Sequence, residues 1–115
     1  MAAVLMLASS AHAGEADVLD VKVKMAADGT YRFDVTVRHA DEGWDHYADA
    51  FEVLSPGGDV LATRVLAHPH ETEQPFSRSL SSVRIPSELS NVEVRAHDKV
   101  HGFGGKVVRV ATPGH

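Results

Sequence analysis

Two histidines separated by one residue are the feature of this sequence that most strongly suggests chemistry. His68 and His70 lie in the polar segment 67–76, which also carries Pro69 and Pro75. Proline disfavours a helical backbone at the preceding residue, and residues two apart in an extended chain point to the same side. Both imidazoles can therefore converge on one point. Neutral imidazole binds zinc, copper(II) and nickel, so the pair predicts a metal site, with an ordinary polar loop as the alternative.

Other histidines supply candidates for the remaining ligands. His39 ends a strand pattern and should face inward, His101 lies in a glycine-rich loop, and His46 lies in a polar connection. We expect His39 and His101 to be slightly better candidates than His46. His97 should face away from the core and is expected to be a surface residue.

The composition restricts both the metal and the partners. The 115 residues contain no cysteine, and 16 acidic against 11 basic side chains give a formal net charge of −5. Without thiolates, the expected ion is copper(II) or zinc. An acidic chain without basic runs is a poor candidate for binding nucleic acid or an anionic membrane. The expected partners are therefore a metal ion and, secondarily, a periplasmic protein.

The first thirteen residues resemble a signal peptide. An apolar run at 2–8 is followed by Ala11-His12-Ala13, which has the small-x-small form of a cleavage site. No Lys or Arg stands near Met1, which indicates a start further upstream or a trimmed leader; an apolar strand is the alternative. We expect a leader at 1–13 and a single domain at 14–115, exported to the periplasm or secreted and not inserted in the membrane.

The rest of the chain alternates apolar and polar residues with the period of two that is typical of half-buried strands. Turn residues such as those in Ala27-Asp28-Gly29 and Ser55-Pro56-Gly57-Gly58 separate the runs. Seven strands are predicted, at 19–25, 31–39, 47–54, 60–66, 76–85, 92–98 and 106–110. This spacing predicts an all-β fold, a seven-stranded antiparallel β-sandwich of the immunoglobulin or fibronectin type III kind.

This fold would gather the histidines at one end. In such a sandwich the second, fourth and sixth connections share one end, and the other three connections share the opposite end. Six histidines fall at the first end and none at the second: His39, His46, His68, His70, His97 and His101. The same end collects acidic residues, which would attract cations: Asp41, Glu42, Asp45, Asp49, Glu71, Glu73 and Asp98.

Two resemblances accompany this pattern. The segment Val92-x-Val94-x-Ala96 with Gly102-x-Gly104-Gly105 resembles the F and G strands of fibronectin type III domains, although Ser90 stands where that family has a tyrosine. This resemblance covers about a quarter of the chain and implies the sandwich fold. Segments 39–47 and 68–80 are similar to a group of small exported bacterial proteins to which no function is assigned.

Three functions fit the sequence. The first is an exported metal-binding sandwich that carries, senses or scavenges copper(II) or zinc. The second is a metal-free module that binds a protein or small ligand with the same loops. The third is an enzyme, in which His70 with Glu71 or Glu73 would act on Ser77 or Ser79 as nucleophile; neither serine lies in a nucleophile motif, so we expect no enzyme activity.

Overall fold

The computed structural model describes residues 15–40, 43, 45–70 and 73–113, and this part of the chain is all β. The predicted leader at 1–13 lies outside the described residues. Seven strands are present: β1 (Asp17–Met25), β2 (Tyr31–Arg38), β3 (Ala48–Leu54), β4 (Val60–Val65), β5 (Phe76–Val83), β6 (Asn91–Asp98) and β7 (Val108–Ala111). The predicted number and order of strands are confirmed, and most boundaries differ by one or two residues. Within these ranges no helix has the length and hydropathy needed to cross a membrane.

The strands form two antiparallel sheets. One sheet has the order β1-β2-β5, and the other has the order β4-β3-β6-β7. Alternation fixes the register, because a slip by one residue would turn the apolar side chains out to solvent. The residues of β2 illustrate this. Phe33 and Val35 are fully buried, whereas Arg32, which precedes Phe33, is exposed. The two apolar faces pack together, and the predicted β-sandwich is confirmed.

The connections divide between two ends of the sandwich. Connections β1–β2, β3–β4 and β5–β6 form what we call the turn end, and connections β2–β3, β4–β5 and β6–β7 form the histidine end. At the turn end, short hydrogen-bonded turns reverse the chain, with Gly29 and Gly58 at positive φ of 86° and 99°. Glycine suits these positions because it lacks the Cβ that makes positive φ costly.

The connection between β6 and β7 reaches across to the first strand. The Val18 N–H donates to the Lys106 carbonyl over 2.9 Å, and the Lys106 N–H donates to Asp17 Oδ1 over 2.7 Å. A Cβ atom on Gly105 would collide with the backbone carbonyl of Ala16. The connection therefore lies tightly against the start of β1, which fixes the position of the loop that carries His101.

Candidate metal site

Two polar residues continue the buried stripes of their strands. His39 follows β2 at the next inward position after Val37, and Asp98 ends β6 at the next inward position after Ala96. His39 is 1% exposed and Asp98 is 0% exposed. The inward orientation predicted for His39 is confirmed. The two residues come from opposite sheets and meet at the histidine end, where His39 Nε2 lies 3.1 Å from Asp98 Oδ2.

Two further histidines reach the same carboxylate from separate connections. His46 Nε2, from the β2–β3 connection, lies 3.2 Å from Asp98 Oδ1 and 3.3 Å from Oδ2. His101 Nδ1, from the β6–β7 connection, lies 2.9 Å from Oδ2. The rings of His39 and His46 are 4.8 Å apart between centroids, and those of His46 and His101 are 5.1 Å apart. We call these four residues the Asp98 cluster.

Asp98 also shapes the loop that delivers His101. Its Oδ1 accepts hydrogen bonds from the backbone N–H groups of Val100 at 2.6 Å and His101 at 3.1 Å. The backbone of Asp98 exchanges two hydrogen bonds with Gly102, whose φ is 70°. Such side chain to backbone bonds are typical of Asp at a turn. One carboxylate thus closes the turn and faces three imidazoles.

These contacts keep Asp98 ionised. Burial alone raises the pKa of this carboxyl, because the charged form loses hydration. The opposing hydrogen bonds from the Val100 N–H and from the ring and N–H of His101, together with the electrostatic interaction with His39, outweigh burial. They lower the pKa of Asp98 from 3.8 to about 2. At neutral pH the cluster therefore contains a buried negative charge facing histidine nitrogens.

The geometry of three of these groups suits one metal ion. One ligand atom each from His39, His46 and Asp98 can be chosen so that all lie within 4.8 Å of one another. Tetrahedral zinc has bonds of about 2.0–2.2 Å to nitrogen and oxygen, which puts its ligand atoms roughly 3.4 Å apart. Asp98 Oδ2 lies 3.1 Å from His39 Nε2 and 3.3 Å from His46 Nε2, and both distances are close to that spacing. His101 is not one of these three groups, although its Nδ1 lies 2.9 Å from Asp98 Oδ2.

The structure places the pair His68 and His70 together but apart from this group. Their ring centroids are 4.8 Å apart, in agreement with the predicted convergence of residues two apart. His68 is exposed, whereas His70 is 6% exposed and stacks on Phe76 at 4.0 Å between centroids. Within the described residues, neither of them belongs to a group of three or more possible ligands. Their assignment as first-choice metal ligands stays a prediction.

One glutamine connects the pair to the Asp98 cluster. Gln74 Oε1 accepts a hydrogen bond from the His39 backbone N–H at 2.9 Å, and its Nε2 donates to the His70 carbonyl at 2.8 Å. The β4–β5 connection is thereby tied to the end of β2. Hydrogen bonds therefore link the β2–β3, β4–β5 and β6–β7 connections, which the sequence placed at the same end of the sandwich.

The other histidine and acidic residues predicted at this end lie outside the Asp98 cluster or outside the described residues. His97 faces away from the core, as predicted, and its Nδ1 lies 2.5 Å from Asp49 Oδ1. Its ring contacts the edge of Phe103, with centroids 4.8 Å apart. Asp41, Glu42 and Glu71, predicted to be part of an acidic end, lie outside the described residues. Asp45 and Glu73 are exposed.

Sequence reasoning gave too little weight to Asp98, which it counted only as one of several acidic residues. Strand alternation contained the missing signal, because Val92, Val94 and Ala96 predict that position 98 points inward. A buried aspartate requires partners, and inward-facing His39 is the matching residue on the opposite sheet. The approach of His46 and His101 depends on loop conformations that periodicity does not determine.

Comparison with known proteins identifies a relative of about twice the length. A "Putative lipoprotein" of Halomicrobium mukohataei is 42% identical over 98 residues, which make up 85% of this chain and 48% of that protein. The chain therefore spans about half of this relative. No family model matches the chain. No solved structure matches it either, so the resemblance to fibronectin type III strands stays a prediction.

Proposed function

We propose that the Asp98 cluster binds a divalent transition-metal ion, zinc or copper(II), in a protein that is exported to the cell envelope. The observation that supports this most strongly is the convergence of three imidazoles, from three separate parts of the chain, on one buried, ionised carboxylate. His39 and His46 would bind through Nε2, His101 through Nδ1 and Asp98 through a carboxylate oxygen. This set lacks soft sulfur ligands, and imidazole favours zinc and copper(II) over calcium and magnesium.

The surroundings of the Asp98 cluster favour a stably bound metal ion over weak association of the ion with the protein surface. Asp98 and His39 are held rigidly by strands, and buried charge in a low-dielectric site attracts a cation more strongly than exposed charge does. The side chains of His46 and His101 are 16% and 37% exposed, so the ion has a route from solvent. Binding would replace N–H···O contacts by bonds to one ion and would release protons.

Export is supported by two independent observations. The segment 1–13 has the apolar run and the small-x-small site of a leader. The relative from Halomicrobium mukohataei carries the name "Putative lipoprotein", which denotes an exported protein held by a lipid anchor. A carrier, sensor or scavenger of a metal ion at the cell envelope is the function that combines export with the Asp98 cluster.

The test is calorimetric titration of the untagged chain with zinc and copper(II) after treatment with a chelator. We expect one ion per chain and a loss of affinity by about a factor of ten or more in His46→Ala. His97→Ala is the matched control, because His97 is also half-buried beside a carboxylate but lies outside the cluster. Equal affinities of the two variants, or no binding by the wild type, would refute the proposal.

The same experiment examines the pair predicted from the sequence. If His68→Ala and His70→Ala abolish binding and His46→Ala does not, the ion binds in the β4–β5 connection instead. Circular dichroism of every variant separates lost binding from lost folding.

A metal-free binding module is the second candidate function. It is favoured by the hydrogen-bond network itself, in which Asp98 links the β2–β3 and β6–β7 connections through its contacts with His46 and His101. In this case the cluster serves to hold the loops of the histidine end as a rigid binding surface. The outcome that supports it is a folded wild type without measurable zinc or copper(II) affinity and an Asp98→Ala variant with disordered loops.

A further inference from the structure

A cleft of about 480 Å³ lies on the outer side of the β1-β2-β5 sheet, where the β6–β7 connection crosses the start of β1. It is lined by Asp17, Leu19, Arg38, Gly104, Gly105 and Lys106. The side chain of Arg38 points away from the core, whereas its neighbour His39 points inward, so the cleft is separate from the Asp98 cluster. Its volume is within the range of small-molecule sites.

The apolar part of the cleft is produced by an irregularity in β1. The register between β1 and β2 shifts between Val18 and Asp20, which leaves Leu19 as an extra residue without a cross-strand partner. Such bulges redirect a side chain and occur often beside functional sites. Leu19 is half-buried and lines the cleft beside Arg38, whose Cα is paired with that of Asp17.

The polar part of the cleft carries positive charge. The Arg38 guanidinium and the Lys106 ammonium are exposed, and neither forms an ion pair within residues 15–40, 43, 45–70 and 73–113. Asp17 lines the cleft as well, and its Oδ1 accepts the backbone N–H of Lys106. The Glu15 carboxylate lies beside Gly104 as well, but among the described residues neither Asp17 nor Glu15 forms an ion pair with Arg38 or Lys106, so both cations can contact a bound anion.

We propose that this cleft binds a small amphipathic anion, namely a carboxylate that carries an apolar chain. The carboxylate would lie between the Arg38 guanidinium and the Lys106 ammonium, and guanidinium can bind carboxylate with two parallel hydrogen bonds. The apolar chain would contact Leu19. Gly104 and Gly105 also line the cleft, and their lack of side chains permits close contact with the Glu15 carboxylate and the Ala16 carbonyl at the start of β1.

The test is titration of the full chain, kept in EDTA so that no metal ion contributes, with octanoate, acetate and octylammonium, followed by backbone amide NMR. We expect shifts at Leu19, Gly104 and Gly105 and an octanoate Kd at least about tenfold below that of acetate. Octylammonium, with the same chain and the opposite charge, should bind at least about tenfold more weakly than octanoate.

A double variant with a charge-matched control completes the experiment. Arg38→Gln with Lys106→Gln should weaken octanoate binding at least about tenfold, whereas Lys24→Gln with Arg84→Gln, exposed cations elsewhere, should change it less than about twofold. All four side chains are exposed, so the variants should fold. Equal binding of octanoate and octylammonium, shifts confined to other residues, or unchanged binding by the first double variant would overturn the proposal.

Discussion

The two ends of the sandwich satisfy their polar groups in different ways. At the turn end, Asp28 Oδ1 accepts hydrogen bonds from the N–H and hydroxyl of Thr30, two residues away, and all these groups are exposed or half-buried. At the histidine end, buried Asp98 contacts His46 and His39, which are 52 and 59 residues away. A local turn can form by itself, whereas the Asp98 cluster exists only when both sheets and two connections are in place.

The buried polar groups of the histidine end carry a desolvation cost that the exposed groups of the turn end avoid. A buried carboxylate surrounded by imidazoles is expensive to desolvate, and apolar residues of similar size are often as stable or more stable. Folding alone therefore does not require the Asp98 cluster. A functional role, such as the metal binding proposed above, explains why the histidine end carries it and the turn end does not.

Removing the two aspartates in turn should give the largest contrast. Asp98→Ala should destabilise the protein by about 3–5 kcal/mol, because it removes the carboxylate that contacts the buried His39 ring and accepts hydrogen bonds from two backbone N–H groups. Asp28→Ala should have a far smaller effect, since water can replace its exposed hydrogen bonds. Urea unfolding in the presence of EDTA measures both. Equal losses of unfolding free energy in the two variants would contradict this difference between the histidine end and the turn end.

Acid should weaken the histidine end selectively. The pKa of Asp98 is lowered from 3.8 to about 2 in the folded protein, so its contribution is complete above pH 3.8 and disappears as the pH falls towards 2. That contribution is about 2 kcal/mol. The difference in unfolding free energy between wild type and Asp98→Asn should therefore shrink by about that amount between roughly pH 5 and pH 2. A difference that stays constant over this range would contradict the assignment.

Two glycines provide a smaller and purely steric comparison. Gly105→Ala should cost about 1 kcal/mol or more, because the new methyl group collides with the rigid backbone carbonyl of Ala16. Gly57→Ala at the turn end should be nearly neutral, since its Cβ would meet only Ser55 Oγ at 3.9 Å. Thermal unfolding of both variants tests whether the β6–β7 connection is as tightly seated as the contacts indicate. An unchanged thermal stability of Gly105→Ala would show that the β6–β7 connection moves to make room for the new methyl group.

Strand periodicity and turn residues were sufficient to predict the sandwich. The alternation of Tyr31, Phe33, Val35 and Val37 places four side chains in the core, and all four are buried. The order of the connections then predicted that histidines gather at one end, and contacts among them support this. These features follow from local rules of strands and turns, which a single sequence contains.

The centre of the site could be predicted only in part. Alternation carries His39 and Asp98 inward, yet nothing local shows that they face each other from different sheets. His46 and His101 reach Asp98 through loop conformations that depend on the folded protein. Conversely, the spacing of His68 and His70 predicted their neighbouring rings correctly but could not show whether other ligands join them.

The most direct test of the metal site is long-range ¹H–¹⁵N NMR of the histidine ring nitrogens during titration with zinc. Our account predicts that Nε2 of His39, Nε2 of His46 and Nδ1 of His101 shift together with stoichiometric zinc, while the rings of His68 and His97 keep their resonances. Shifts confined to His68 and His70 would place the ion in the β4–β5 connection. Unchanged resonances of all these rings at excess zinc would contradict a metal site at the Asp98 cluster.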